Sequence, residues 1–364
     1  MELTRKHVDL FIRYTKLPIP VNDQKHFEYY IDLFDEYYDS KRQYKIFKDC
    51  YTKYNDIESY KTTIREKTDK IIKMFKPEGE KYNLLREYMD MDIEKVYGKV
   101  KNNILLEKST KKGVYIEENS NSDKLFMSID LKSANFLTVV KHNKDIFDGF
   151  SNWYDFMISQ GCDEFVASSK HFREVFFGEI KVCKKARGIY KYYLDDVYEF
   201  IKEKYNYKDD EIVCVSEDEI VLQYKYGYPS VIKQAFSNML NVEIFKLTRH
   251  GNHPYYIKEI ININERDIKK IDSTKKVLKC VPKKFICQYI KFIKNKILHE
   301  NDLKFTDEHL TARYLYPYFI DKDSNLNIPN DENVFCHKKI MCLIYGIIFG
   351  YFITVIAFGH FMDH

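Results

Sequence analysis

From Ile340 to Phe361 the chain reads IMCLIYGIIFGYFITVIAFGHF, without one Asp, Glu, Lys or Arg. At about 1.5 Å of rise per residue, a helix of this length spans roughly 30 Å, the thickness of a bilayer's hydrocarbon core. The expected structure is a transmembrane helix. Lys338 and Lys339 flank its near side and predict a single-pass anchor with the body facing the cytoplasm. Only Met362, Asp363 and His364 follow, which predicts insertion after synthesis, as in a tail-anchored protein. Gly346 and Gly350 form a GxxxG pair suited to packing against a partner helix. The alternative is a buried core helix, which His360 favours.

The rest of the chain has a globular composition. Of 364 residues, 45% are hydrophobic and 31% charged, enough to build one large domain or two to three ordinary ones. The net charge of +4 gives no global basic field, so any contact with nucleic acid must come from local patches. Richness in Lys, Asn, Ile, Tyr and Phe fits the coding bias of an AT-rich genome, that of a virus or an AT-rich microbe. The eight cysteines are scattered without a CxxC pair, which supports neither a zinc ribbon nor a redox dithiol. They are expected to be buried thiols in a reducing compartment. The N-terminus, MELTRKHVDLFIRY, carries charges where a signal peptide needs an apolar stretch.

Four regions follow from the patterning. Residues 1–115 are expected to be helical: Phe27, Tyr30, Ile31 and Phe34 recur at helical spacing, as do Tyr60, Ile64, Ile71 and Ile72. The polar stretch EENSNSD, Glu117 to Asp123, marks the first boundary. Residues 116–263 mix strands and helices without βα alternation, which predicts an α+β domain. Within it, a strand runs from Leu125 to Ile129 and ends on Asp130. Helices are predicted over 153–160, 166–178 and Tyr190 to Tyr205. EIVCVSEDEIVLQY reads as a hairpin turning at Ser216, Glu217 and Asp218. A helix over 229–240, a strand from Val242 to Leu247 and a strand YYIKEII complete the domain. Residues 264–335 read as a basic, largely helical extension, and 336–364 as the membrane tail.

Two acidic residues stand where metal chemistry would need them. A strand end fixes the backbone while the side chain faces a cleft, and Asp130 and Asp218 both have that setting. Brought together, such carboxylates can hold two Mg²⁺ or Mn²⁺ ions about 4 Å apart, clamping the attacking and leaving oxygens of a phosphoryl transfer. Between them lies SSKHFREVFFG. On a helix, Lys170, Arg173 and Phe177 fall within about 60° of one another, giving two cations for a triphosphate and a ring for a base or sugar. Taken singly, each of these residues also suits an ordinary surface or core position.

These segments resemble the family A, polymerase I type DNA polymerases. Motif A of that family has an Asp after an apolar strand, a Glu five residues on and often a later Asp; here Asp130, Asn135 and Asp145 stand at those places. Motif B runs Arg, Lys, aromatic, Gly, and Ser169, Arg173, Phe177 and Gly178 keep its spacing. Motif C is His-Asp-Glu before a strand, matched by Glu217, Asp218 and Glu219 before IVLQ. The order is kept, and a helix and a last palm strand follow, as in the family. The resemblance covers roughly residues 120–250.

It implies an antiparallel palm-like sheet with packed helices and shortened fingers, a thumb-like or accessory helical region before it, and no exonuclease segment. The implied activity is template-directed nucleotidyl transfer from a nucleoside triphosphate to the 3′-hydroxyl of a primer. Asp130 and Asp218 would be the metal ligands, with Glu219 supporting them. Lys170 and Arg173 would hold the triphosphate, Phe177 would stack on the nucleotide and Asn135 would sit beside the sugar. Arg173 replaces the family's Lys and is less apt to protonate pyrophosphate. Asn135 replaces the Glu that helps to exclude ribose. These departures leave room for a catalytically impaired palm that binds nucleic acid or nucleotide. An unrelated reading is a membrane-anchored scaffold whose acidic residues are incidental.

Overall fold

A computed structural model of the chain describes residues 3–20, 24–102, 114–115, 124–225, 229–237, 239–249, 255–263, 271–307 and 310–313. The expected membrane helix over 340–361 lies outside the described residues. Among the described residues, no helix is long and apolar enough to cross a membrane. Two compact units emerge, Met1–Ile286 and Cys287–His364.

The first unit begins with six helices: α1 (Arg5–Thr15), α2 (Gln24–Tyr38), α3 (Ser40–Tyr51), α4 (Ile57–Met74), α5 (Tyr82–Asp90) and α6 (Ile93–Tyr97). Their patterning explains them. In α4, Ile57, Tyr60, Ile64, Thr68 and Ile71 form one buried stripe at three- and four-residue spacing, and the Asp56 side chain caps the helix by accepting from the Ser59 amide at 2.8 Å. After β1 (Leu125–Leu131) come α7 (Ala134–His142), α8 (Trp153–Ser159), α9 (Glu164–Ala167), α10 (Lys170–Glu179) and the long α11 (Cys183–Tyr205). The N-terminal helices share a core with this second group. Phe165 of α9 stacks on Phe11 of α1 at 6.2 Å and meets Phe47 of α3 at 4.8 Å.

The sheet is wholly antiparallel. Its strands are β1, β2 (Ile212–Val215), β3 (Glu219–Gln223), β4 (Leu240–Arg249), β5 (Tyr256–Ile263) and β6 (Ile271–Lys279), in spatial order β2-β3-β1-β4-β5-β6. The short helix α12 (Pro229–Ala235) links β3 to β4. Alternation along β1 sorts the two faces. Met127, Ile129 and Leu131 join Ile220, Leu222, Leu240 and Val242 in a core with Tyr190, Leu194, Val197, Tyr198 and Ile201 of α11. Phe126, Ser128 and Asp130 therefore point to the opposite face, where Phe126 stacks on Phe245 at 5.5 Å.

Several boundaries differ from those expected. The helix predicted over 166–178 breaks after Ala167 because the Ser169 side chain caps a new one, accepting from the Phe172 amide at 3.1 Å. The helix expected from Tyr190 already starts at Cys183, and the one expected to reach 240 stops at Ala235. The basic helical extension needs the largest correction. Ile271–Lys279 forms β6, the sheet's outer strand, and among the described residues of that stretch only Ile286–Ile293 (α13) is α-helical. Lysines on an outer strand block pairing with another chain while leaving the strand intact. One of them is also paired: Lys276 lies opposite Glu259 in the register and bridges it at 3.4 Å, and reaches Glu36 of α2 at 3.6 Å. In the second unit, β7 (Lys304–Asp307) pairs with β8 (Leu310–Arg313). There Lys291 and the fully buried Asp302 form an ion pair at 3.9 Å.

Candidate functional site

Strand register assembles the acidic half of the site. Asp130 lies near the end of β1, opposite Glu219 on β3 and opposite Asn241 on β4. Residues directly opposite in an antiparallel pair share a face, so all three side chains leave the sheet on the side away from α11. The turn between β2 and β3 closes with the Ser216 amide donating to the Glu219 carbonyl at 2.9 Å. The Leu131 amide donates to the Asp218 carbonyl at the same distance, which ties Asp218 to the end of β1. Asp130 and Asp218 thus sit at one end of two neighbouring strands.

Both line a cleft of about 1240 Å³, together with Asn135, Lys170, Arg173 and Phe177. Glu219 is the one candidate that does not border it. Its carboxylate accepts instead from Ser128, which lies two residues before Asp130 on the same face. Glu217 turns outward to Arg187 at 3.4 Å.

The charges explain one another. Burial raises Asp130 to about 6, the Asp218 carboxylate adds to the rise, and Asn241 and Lys170 oppose it. Asp218 is also raised, first by burial and then by Glu219 and Glu217, with Lys170 pulling the other way. The Asn241 amide reaches Asp130 only at 3.5 Å, a weak contact. Two carboxylates that are both raised by burial and neighbouring acids, and that share a cleft, are an arrangement a cation relieves.

The cationic half comes from α10. Lys170 is largely exposed and lies 3.9 Å from Glu174. Arg173 is half-buried, and its Nη1 donates to Ser133 Oγ at 2.9 Å. Burial lowers its pKa while Glu174 and Asp130 oppose that. Ser133 precedes α7 with a left-handed backbone, φ 47°. Phe177 is 1% exposed, packed against Trp153 at 5.5 Å and Phe176 at 5.1 Å. It lines the cleft, but at that burial and with its ring against Phe147, Trp153 and Phe176 it offers no open ring for stacking. Asn135 accepts from the Tyr190 hydroxyl at 2.6 Å.

Ser128, Ser133, Tyr190 and Asn241 complete the site beyond the residues picked from sequence. Ser128 was accessible from the alternation of β1. The other three depend on contacts between elements distant in the chain.

The donor set fits a hard divalent cation. Among the described residues, no group of three or more His, Cys, Asp or Glu side chains could hold a metal ion. Mg²⁺ is commonly held by one or two carboxylates, with substrate phosphates and water completing its shell, and Asp130 and Asp218 are two carboxylates lining one cleft. No protein-family model, curated protein or solved structure matches this chain.

Proposed function

We propose that the cleft catalyses metal-assisted nucleotidyl transfer, joining an incoming nucleoside triphosphate to the 3′-hydroxyl of a nucleic-acid strand. The carrying observation is that antiparallel register brings Asp130 and Asp218 to one end of adjacent strands, in a cleft whose other wall bears Lys170 and Arg173. Divalent cations bound by the two carboxylates would activate the hydroxyl and neutralise charge on the reacting phosphate. Lys170 and Arg173 are suited to the triphosphate, and the Ser133 hydroxyl holds the Arg173 fork in place. Asn135, braced by Tyr190, would sit beside the sugar. Glu219, held by Ser128, would add negative charge beside Asp130 that favours a bound cation. Such catalysis rests on positioning and electrostatics.

One observation favours a second reading, a palm that binds nucleotide or nucleic acid without turnover: Phe177 is sealed in the core. Primer extension with dNTPs and with NTPs, under Mg²⁺ and Mn²⁺, separates the two readings when protein truncated before Ile340 is used. Incorporation that is lost in Asp218→Asn supports the first. Metal-dependent nucleotide binding without incorporation supports the second, and neither activity leaves the scaffold reading.

We further propose that residues 340–361 anchor the protein in a membrane, on the strength of their charge-free apolar run and the adjacent Lys338 and Lys339. Removal of 338–364 should release the protein from membranes. Release of the full-length protein by alkaline extraction would refute the anchor.

A further inference from the structure

A second cavity, of about 250 Å³, lies beside the cleft within the first unit, and Lys170 lines both. Its walls come from three places distant in sequence: Tyr14 and Thr15 of α1, Arg42 and Gln43 of α3, and Ser168 just before α10. Two cations and no carboxylate line it. Arg42 is well exposed and is oriented by Asp39, which takes its Nε–H; a guanidinium has five donors, so this pairing uses a fraction of them. The charges around the cavity are mixed, so its cationic character comes from Arg42 and Lys170 on its wall. His171 has its pKa lowered by burial and then by Lys16 and Arg13, so two more cations stand close by. Asp39 and Glu174 stand beside these cations, and Asp163 and Asp69 act on Tyr14 from the other side. The Tyr14 ring is half-buried and packs on Phe165 at 5.5 Å, which gives the cavity an aromatic wall.

Cations, hydroxyls and a ring around so small a volume suit one sugar–phosphate unit rather than a base pair. At about 30 Å³ per liquid water, the space equals roughly eight waters. Under the nucleotidyl-transfer reading, the growing strand ends at the hydroxyl beside Asp130 and Asp218. The only covalent nucleic acid that continues past that point is the 5′ part of the opposite strand. It must leave the cleft somewhere, and Lys170 links the cleft to this basic cavity.

We propose that the Tyr14–Arg42–Ser168 cavity holds a phosphate and sugar of the single-stranded template extension, 5′ of the position being copied. This rests on the nucleotidyl-transfer reading and adds a strand path to it. Arg42 contacts the phosphate and Tyr14 the sugar or base, while Lys170, which serves the triphosphate, marks the passage from the cleft.

The test uses fluorescence anisotropy with the full chain in detergent and Mg²⁺. The probes are a blunt primer–template duplex and the same duplex bearing 5′ template extensions of increasing length. The quantity read is the ratio of affinities with and without the extension. In the parent, the first few nucleotides of extension should tighten binding about fivefold to tenfold, as expected for one charge-assisted phosphate contact. Arg42→Ala should bring the ratio close to one, and Arg42→Lys should restore part of it. Raising salt should weaken the extension's contribution. A parent ratio of one with the duplex still bound overturns the strand path and leaves nucleotidyl transfer standing. No binding of any duplex overturns the nucleic-acid reading and the inference with it. If Arg42→Ala weakens dNTP binding as much as extension binding, the cavity serves free nucleotide and the strand path is wrong.

Discussion

The two walls of the cleft are built on different principles. Asp130 stands on β1 and Asp218 in the turn that leads into β3, tied to β1 by the Leu131 amide, with Ile129 and Ile220 beside them in a core that also holds Val242. Lys170 and Arg173 stand on α10, which is positioned by side-chain packing: Phe172, Phe176 and Phe177 seat it against Trp153, and α1 and α3 lean on the helix before it. A ladder determines where a carboxylate lies to within a register step, because a one-residue slip would move it to the opposite face. A packed helix has no such ratchet, so its residues depend on every side chain beneath them. The acidic wall is therefore expected to tolerate changes in the aromatic core, and the cationic wall is expected to respond to them.

The largest effect should come from Phe177→Ala. If Phe177 is a structural support of the cationic wall, truncation costs about 3–5 kcal/mol and lowers the melting temperature sharply. A stacking platform would instead leave stability nearly unchanged and raise KM for nucleotide. Thermal melts beside nucleotide titrations decide between these outcomes.

Next in size is Asp218→Asn, which keeps shape and removes one charge from the acidic wall. Incorporation should fall at least ~10²-fold with folding intact, and Asp130→Asn should behave alike. The double variant should be little worse than either, because the two residues act as a unit. Full incorporation by Asp218→Asn would eliminate the two-metal reading.

Arg173→Ala should have a smaller and more selective effect. It removes a cation from the triphosphate side and an ordering contact from Ser133. Nucleotide binding should weaken by about tenfold, the scale of one charged hydrogen bond, with a smaller loss in template binding. Equal losses in both would show that α10 holds the strand rather than the triphosphate.

The smallest effect concerns pH. Asp130 titrates near 3.9 in an unfolded chain, roughly, and at about 6 in the fold. Between those values the folded state keeps a proton that the unfolded state has lost. Without divalent cations, the cost of charging Asp130 is thus absent below the lower value and fully present above the higher one, and stability falls as pH rises through the window. In EDTA at pH 7, Asp130→Asn should melt above the parent, and the gap should close toward pH 4. A gap that persists at pH 4 would show that the substitution acts through packing.

What was legible in the sequence was local. The apolar stripe of α4, the strand ending on Asp130, the hairpin around Asp218 and the single face of Lys170 and Arg173 all follow from period and turn chemistry. The charge-free apolar run over 340–361 is legible as a candidate membrane helix, and it lies outside the described residues. Helix ends were misjudged where one side chain decides them, as Ser169 does for α10.

The tertiary structure decided everything that depends on partners. The lysines around 275–279 suggest a solvated helix in isolation; beside β5, with Glu259 opposite Lys276, they make an outer strand. Phe177 reads equally well as a platform or as core until Trp153 is packed on it. Asn241 reaches Asp130, and Tyr190 reaches Asn135, only once β4 pairs with β1 and α11 crosses the sheet. Periodicity is a property of a segment's own backbone geometry, so a sequence can carry it alone. Burial and hydrogen-bond partnership are properties of pairs of segments, and they exist only after the chain has closed on itself.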